Sequence, residues 1–385
     1  MTATRLRTIA TAFLLTTAAV AGGTMMSSSP AVAQAGSVRP VVGKPLQEAQ
    51  ALAAQKNYKA AMAKVNEAEA APNKTDAESK IINQMKEYIA SVSGDTSTPA
   101  GAKTKFANDY NAKSYKAVIA DADALKKLGA LDAASMQVVA QSYYLDGDKQ
   151  GCLKYIKNNF SNPGDDTLAL QLRCAYDAGD DEVQRSTLET LIAHTGKAEY
   201  WNDLLKMSER GQGMRDHDTL DVYRLKLLTG TINGADEYTT LAQLAVQLQF
   251  PAEAEAVIEK AQAANLLKND RSNKLLALAK TQAAADIANT AKNLAAANAA
   301  PKGDPLVKIG EDEWGQGKAK DAIATIQAGM KKPLDDKNNA AVRLGMAYLG
   351  AGQKADAQKT FDAVKGPETD KSVMIAHLWS LYARH

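Results

Sequence analysis

The sequence predicts an all-α chain of short antiparallel helix pairs stacked in series. Three observations carry that expectation. The 385 residues are rich in alanine and 45% hydrophobic, yet only 5% aromatic, and abundant small side chains suit closely packed helices better than sheets. An apolar pattern returns about every thirty-four residues, a period of the helical-repeat kind. A glycine stands five residues before a small buried-type residue in three separate places, Gly147 to Cys152, Gly317 to Ala322 and Gly352 to Ala357. A glycine there supplies the left-handed turn between two helices at little steric cost. A generic alanine-rich bundle would explain the composition but not the recurring spacing.

In chain order, residues 1–35 predict a secretory signal. Arg5 and Arg7 form a basic start, Ile9 to Val20 an uncharged apolar run, and Ala31-Val32-Ala33 and Ala33-Gln34-Ala35 two peptidase-type sites, with cleavage after Ala33 or Ala35. The run is shorter than the roughly 20 apolar residues of a membrane span, which disfavours the alternative of an uncleaved anchor. No later segment approaches a span. An extended lead-in is expected over 36–45, a first group of helices over 46–92, a linker over 93–101 and a longer array over 102–385.

The helices are read from their apolar spacing. Ala49, Leu52, Tyr58, Ala61, Val65 and Ala68 form a first pair, and Ile81 to Ile89 a helix whose partner is shortened or lost. Tyr115, Val118, Ala122 and Leu125 belong to the next unit. Val139, Ala140, Tyr143, Gly147, Cys152 and Ile156 follow, then Ala175, Tyr176 and Gly179 with a one-residue slip. Trp201, Leu204 and Leu205 open an irregular unit with an insertion. Leu241, Ala242, Ala245, Ala254, Ile258 and Ala261 restore the pattern, and Leu275, Leu276, Ala279, Ala288 and Ala295 suggest another pair. Ile309, Gly310, Gly317, Ala322, Ile326 and Gly329 come next. The clearest unit runs from Leu344-Gly345-Met346-Ala347-Tyr348 through Gly352, Ala357, Phe361 and Val364 to Pro367.

That last unit resembles the tetratricopeptide repeat consensus at almost every signature position, and the resemblance extends with declining strength over roughly residues 45–385. It implies a right-handed α-solenoid, a superhelix in which the first helix of each pair lines a concave side, and contacts to a protein or peptide from that side. In this register Tyr110, Tyr144 and Trp314 project there, with Gln137, Gln141 and Gln243 at other groove positions. Aromatics beside amides suit a peptide, which offers flat contact area and a hydrogen-bonding backbone. The alternative is that the aromatics pack between repeats. The basic and amide set with which chaperone adaptors of the family clamp a carboxylate terminus is not evident.

Charge and chemistry exclude other classes. The leader holds two Arg and no Lys, Asp or Glu, so removing it takes 46 basic residues to 44, equal to the 44 acidic ones. A neutral chain lacks the basic footprint of a nucleic-acid binder and any long-range pull toward an anionic membrane. The four histidines have no second His or Cys at metal-ligand spacing, and no phosphate loop, dinucleotide fingerprint or nucleophile elbow occurs. No cofactor or metal is expected. Asp216-His217-Asp218 is the one local acid–histidine cluster and reads as a solvated loop within 211–218. Asp165-Asp166, Asp180-Asp181 and Asp335-Asp336 read as helix caps rather than paired catalytic carboxylates. Cys152 and Cys174 fall on neighbouring helices; they form either a disulfide, which persists outside the cytoplasm, or two separate buried thiols.

The expected protein is therefore a non-catalytic, exported scaffold of the periplasm that holds a protein or peptide, in the manner of an accessory part of an envelope transport or assembly machine. The alternatives are a cell-wall-directed hydrolase and a small-molecule carrier on the same scaffold.

Overall fold

The computed structural model describes residues 38–210, 213–367 and 369–385. The signal segment and its cleavage sites lie outside the described residues. Every regular element among the described residues is an α-helix, and the chain divides into two compact units, Met1–Asp180 and Asp181–His385.

Unit 1 holds α1 (Pro40–Ala54), α2 (Tyr58–Glu69), α3 (Asp76–Ser93), α4 (Pro99–Asn111), α5 (Tyr115–Lys127), α6 (Ala133–Leu145), α7 (Lys149–Asn159) and α8 (Asp165–Ala178). Each helix packs on the next, so the pairs α1–α2, α4–α5 and α6–α7 stack in sequence order. The expected extended lead-in over 36–45 is helical from Pro40, because a proline in the first turn has no N–H to lose. Arg39, just before it, clasps the buried Glu78 of α3 with Nε and Nη2 at 3.0 and 2.9 Å. The stretch expected as a linker, 93–101, is a tight turn capped by Gly94 and Thr98, and α3 packs directly on α4. The division falls instead at Asp180. As the sequence suggests, α3 has no return helix. Cys152 of α7 and Cys174 of α8, both fully buried, are joined in a disulfide.

Unit 2 holds α9 (Asp181–Thr195), α10 (Ala198–Glu209), α11 (Asp216–Leu228), α12 (Gly234–Gln247), α13 (Pro251–Ala263), α14 (Asp270–Ala299), α15 (Asp304–Gly315), α16 (Ala319–Met330), α17 (Lys337–Gly350), α18 (Lys354–Asp362) and α19 (Lys371–Ala383). Pairs α12–α13, α15–α16 and α17–α18 are repeat units. Close approach inside them explains two glycines of the motif: a methyl at Gly345 would strike the Phe361 ring, and one at Gly310 would strike Ile326. The pair expected around Leu275 to Ala295 is instead one helix of 30 residues, α14. Nothing between Ala279 and Ala288 breaks a helix, and alanine is its best former.

One backbone device recurs in both units. The turn inside each pair places a residue in the left-handed region: Gly147, Gly317 and Gly352, but also Lys56, Lys113 and Gln249 at φ of 60°, 58° and 63°. The second group occupies the same turn without glycine.

Candidate partner-binding face

In unit 1 the first helices α4, α6 and α8 share one face, and the residues expected there form a row of cross-helix hydrogen bonds. The Tyr110 hydroxyl of α4 donates to Gln141 Oε1 of α6 at 3.0 Å. On α6, Gln137 Oε1 accepts from Thr167 Oγ1 of α8 at 2.6 Å, and the Tyr144 hydroxyl donates to Asp177 Oδ2 of α8 at 2.8 Å. The partners lie 31, 30 and 33 residues apart, about one repeat length each time. Burial pushes both tyrosine phenols up, so both remain donors at neutral pH. Lys149 Nζ sits 3.6 Å from the Tyr144 ring centroid and the Arg173 guanidinium 5.5 Å from it, a cation–π arrangement. Tyr110, Gln137, Gln141 and Tyr144 are all half-buried: held in place, with part of each side chain still facing solvent. The disulfide fixes α8 against α7 three residues from Asp177, and so holds the row in register.

Unit 2 uses the corresponding position differently. Helix α11 packs on both α12 and α19 and reaches the side chains of α13, α15 and α17. Its Arg224 binds Glu253 of α13 through Nε at 2.7 Å and Nη2 at 2.6 Å, and Glu311 of α15 through Nη1 at 2.7 Å. Asp221, one turn earlier, takes Arg224 Nη1 at 2.9 Å and is also bonded by Arg343 of α17, whose Nε lies 3.2 Å from Glu311 Oε2. All five side chains are at least 91% buried. Burial pushes the Glu311 carboxyl up, but the two guanidinium groups outweigh it and hold it below the ordinary range. On the other side of α11, the fully buried Lys226 bridges Glu209 of α10 at 2.9 Å and Glu237 of α12 at 2.6 Å.

The unit also closes at its end. Helix α19 meets α9 through His377 and Glu189 at 2.9 Å, and α10 through Tyr382 and Trp201, ring centroids 6.2 Å apart. Trp379, fully buried, packs against Trp314, Phe361 and Tyr382. Trp314, expected on a partner surface, thus has its ring engaged by Trp379 and by Arg224, whose guanidinium lies 5.0 Å from the ring centroid. Asp216-His217-Asp218 is not a solvated loop: it forms the first turn of α11. Asp218 is buried and doubly bonded to Arg215, and burial beside the charge network pushes the His217 imidazole down. Asp165-Asp166 and Asp336 do stand at helix starts, as caps should.

The sixth expected residue, Gln243, is exposed on α12. It lines a cleft of about 380 Å³ between α12 and α14. Among the described residues no group of three or more His, Cys, Asp or Glu side chains could hold a metal ion, and no helix is long and apolar enough to cross a membrane.

The helix pairs, their left-handed turns and the small residues at points of close approach make this a helical-repeat protein of the tetratricopeptide type. No protein-family model matches the chain, and no curated protein matches it. Solved structures similar to it include a tetratricopeptide repeat protein from Parabacteroides merdae, 14% identical, covering 73% of this chain and 98% of that one with a TM-score of 0.28. The TPR domain of P58(IPK) is 12% identical over 89% of this chain and 79% of that one, with a TM-score of 0.26. The Naa15/Naa10 complex bound to HypK is 15% identical over 86% of this chain and 58% of that one, with a TM-score of 0.32. Likenesses this distant decide neither a partner nor a site.

Proposed function

We propose that this protein is a non-catalytic scaffold, exported to the periplasm, that holds a protein or peptide partner on the α4–α6–α8 face of unit 1. The observation that carries the reading is the row Tyr110–Gln141, Gln137–Thr167 and Tyr144–Asp177: aromatic and amide groups fixed by one another, each with a part still open to solvent. Preorganised groups of this kind spend little side-chain entropy on binding, and tyrosine is enriched at interfaces because one side chain offers both apolar area and a hydrogen bond. Export rests on the leader sequence and agrees with a fully buried disulfide. A role as an accessory part of an envelope complex follows the same line.

The test is site-specific photocrosslinking in living cells. A photoreactive residue at Gln137 or Gln141 is expected to trap a discrete partner, and one at exposed Lys126 on α5 to trap none. Equal or absent crosslinks at both places would refute the reading. Tyr144→Phe, which removes only the hydroxyl bonded to Asp177, is expected to weaken the crosslink while leaving the melting temperature within about 2 °C, as for an exposed hydrogen bond of about 0.5 kcal/mol. Mass spectrometry of the mature chain should find it beginning after Ala33 or Ala35; a full-length chain would remove the export claim.

A further inference from the structure

The α12–α14 cleft is separate from the unit 1 face and has its own chemistry. It exists because α14 runs on without turning back, which leaves the first half of α14 facing α12 across open space. Arg271, Lys274, Leu275 and Leu278 lie at positions i, i+3, i+4 and i+7 of α14 and so share one face. Thr239 and Gln243, one turn apart on α12, stand opposite with donors and acceptors.

Two features of this face lack partners. Arg271 and Lys274 are exposed and make no ion pair or side-chain hydrogen bond among the described residues, whereas Lys280 further along the same helix is paired with Glu259 at 2.7 Å. Leu278 is 45% exposed beside them, over a floor made by the buried Leu267. Of the acids nearby, Asp236 lines the opposite wall and Asp270 lies in the first turn of α14 outside the lining, so the α14 wall itself carries two positive charges and no negative one.

We infer that this cleft is a second binding site, for a linear peptide segment of a partner protein that carries an acidic side chain flanked by apolar ones. The carboxylate sits between Arg271 and Lys274, the apolar side chains lie on Leu275 and Leu278, and the peptide backbone meets Thr239 and Gln243. Charge complementarity selects an acidic segment over a basic one. The volume, toward the lower end of the roughly 300–1,000 Å³ of ligand clefts, suits a short segment rather than a folded surface.

Fluorescence anisotropy on the full chain tests this with a labelled peptide, Ser-Gly-Leu-Glu-Leu-Gly-Ser, amidated at its C-terminus. Saturable binding is expected, weakening at least tenfold when Gln replaces Glu in the peptide and several-fold between 50 and 500 mM salt. The Arg271→Glu/Lys274→Glu double variant should lose at least tenfold and Leu278→Ser about fivefold. Because these side chains hold nothing else in place, circular dichroism should show each variant folded. Equal affinity for the Gln peptide, or for the charge-reversed protein, overturns the site. A peptide with a free terminal carboxylate and no Glu that binds more tightly than the amidated one assigns the cleft to chain ends and overturns it as stated. Sedimentation showing a self-association that the double variant abolishes, with no peptide bound, assigns the cleft to a second copy and also overturns it. Loss of peptide binding with the Gln137 crosslink intact sinks this site alone, and the reverse result sinks the unit 1 reading alone.

Discussion

In unit 1 the first helices α4, α6 and α8 keep one face partly open, tied together by single hydrogen bonds between half-buried side chains. In unit 2 the corresponding helices α15 and α17 turn Glu311 and Arg343 onto α11, and two guanidinium groups and three carboxylates disappear from solvent. The building block is the same helix pair. What differs is whether a charged helix of the same chain fills the inner face. A neutral row costs little to leave open, whereas a buried charge costs several kcal/mol unless every partner is present. Unit 2 therefore behaves as a closed, cooperative body, and unit 1 retains the surface available to a guest.

The sharpest way to break this contrast is Arg224→Met. It strands Glu253 and Glu311 without their bidentate or shared partner, and we expect a loss of about 3–5 kcal/mol, read as a lowered and separated melting transition for unit 2. The unit 1 crosslink should survive at temperatures below that transition. An unchanged melt would show that the network does not hold α11 in place. Next in size is the disulfide. Its 22-residue separation predicts that Cys152→Ser/Cys174→Ser destabilises unit 1 by about 3 kcal/mol, measured by denaturant titration, and that the unit 1 crosslinks weaken because α8 is no longer held in register.

A smaller effect comes from Asp312 on α15. Burial, and then the charge of Asp286 on α14, push its carboxyl up to about 6. A carboxyl raised on folding contributes most below its unfolded value, 3.8, and that contribution is lost as pH rises through about 6. Asp312→Asn should therefore stabilise unit 2 at pH 7.5 by about 1 kcal/mol, solvent screening part of the effect, and change little at pH 4. The same gain at both pH values would mean that ionisation is not the cause.

The smallest expected effect bears on what the two units share. Lys113 and Gln249 occupy the left-handed turn that glycine takes elsewhere. Lys113→Gly in unit 1 and Gln249→Gly in unit 2 should each stabilise by about 0.5–1 kcal/mol, by equal amounts if the turn is a local device. Unequal shifts in denaturation midpoint would show that the surroundings of the two turns matter.

These turns also explain where the repeat was legible. Pairs closed by Gly147, Gly317 and Gly352 stand out in the sequence, while those closed by Lys56, Lys113 and Gln249 do not, although the backbone is the same. The unit 1 row was legible too, because Tyr110, Gln137, Gln141 and Tyr144 share a period with the core. The buried network was not. Asp216, Asp218, Asp221, Arg224 and Lys226 give α11 the look of a solvated helix, and no spacing rule links Arg224 to Glu253 and Glu311, 29 and 87 residues away, or Asp221 to Arg343, 122 residues away.

By itself, then, the sequence determined helix, turn and pairing, because those depend on neighbours within one repeat: apolar spacing, a left-handed turn, a missing side chain where two helices touch. Only the tertiary structure decided that α14 leaves a cleft and that α11 becomes the centre of unit 2. The sign and burial of a charge depend on partners that folding brings from distant repeats, and no local pattern records them.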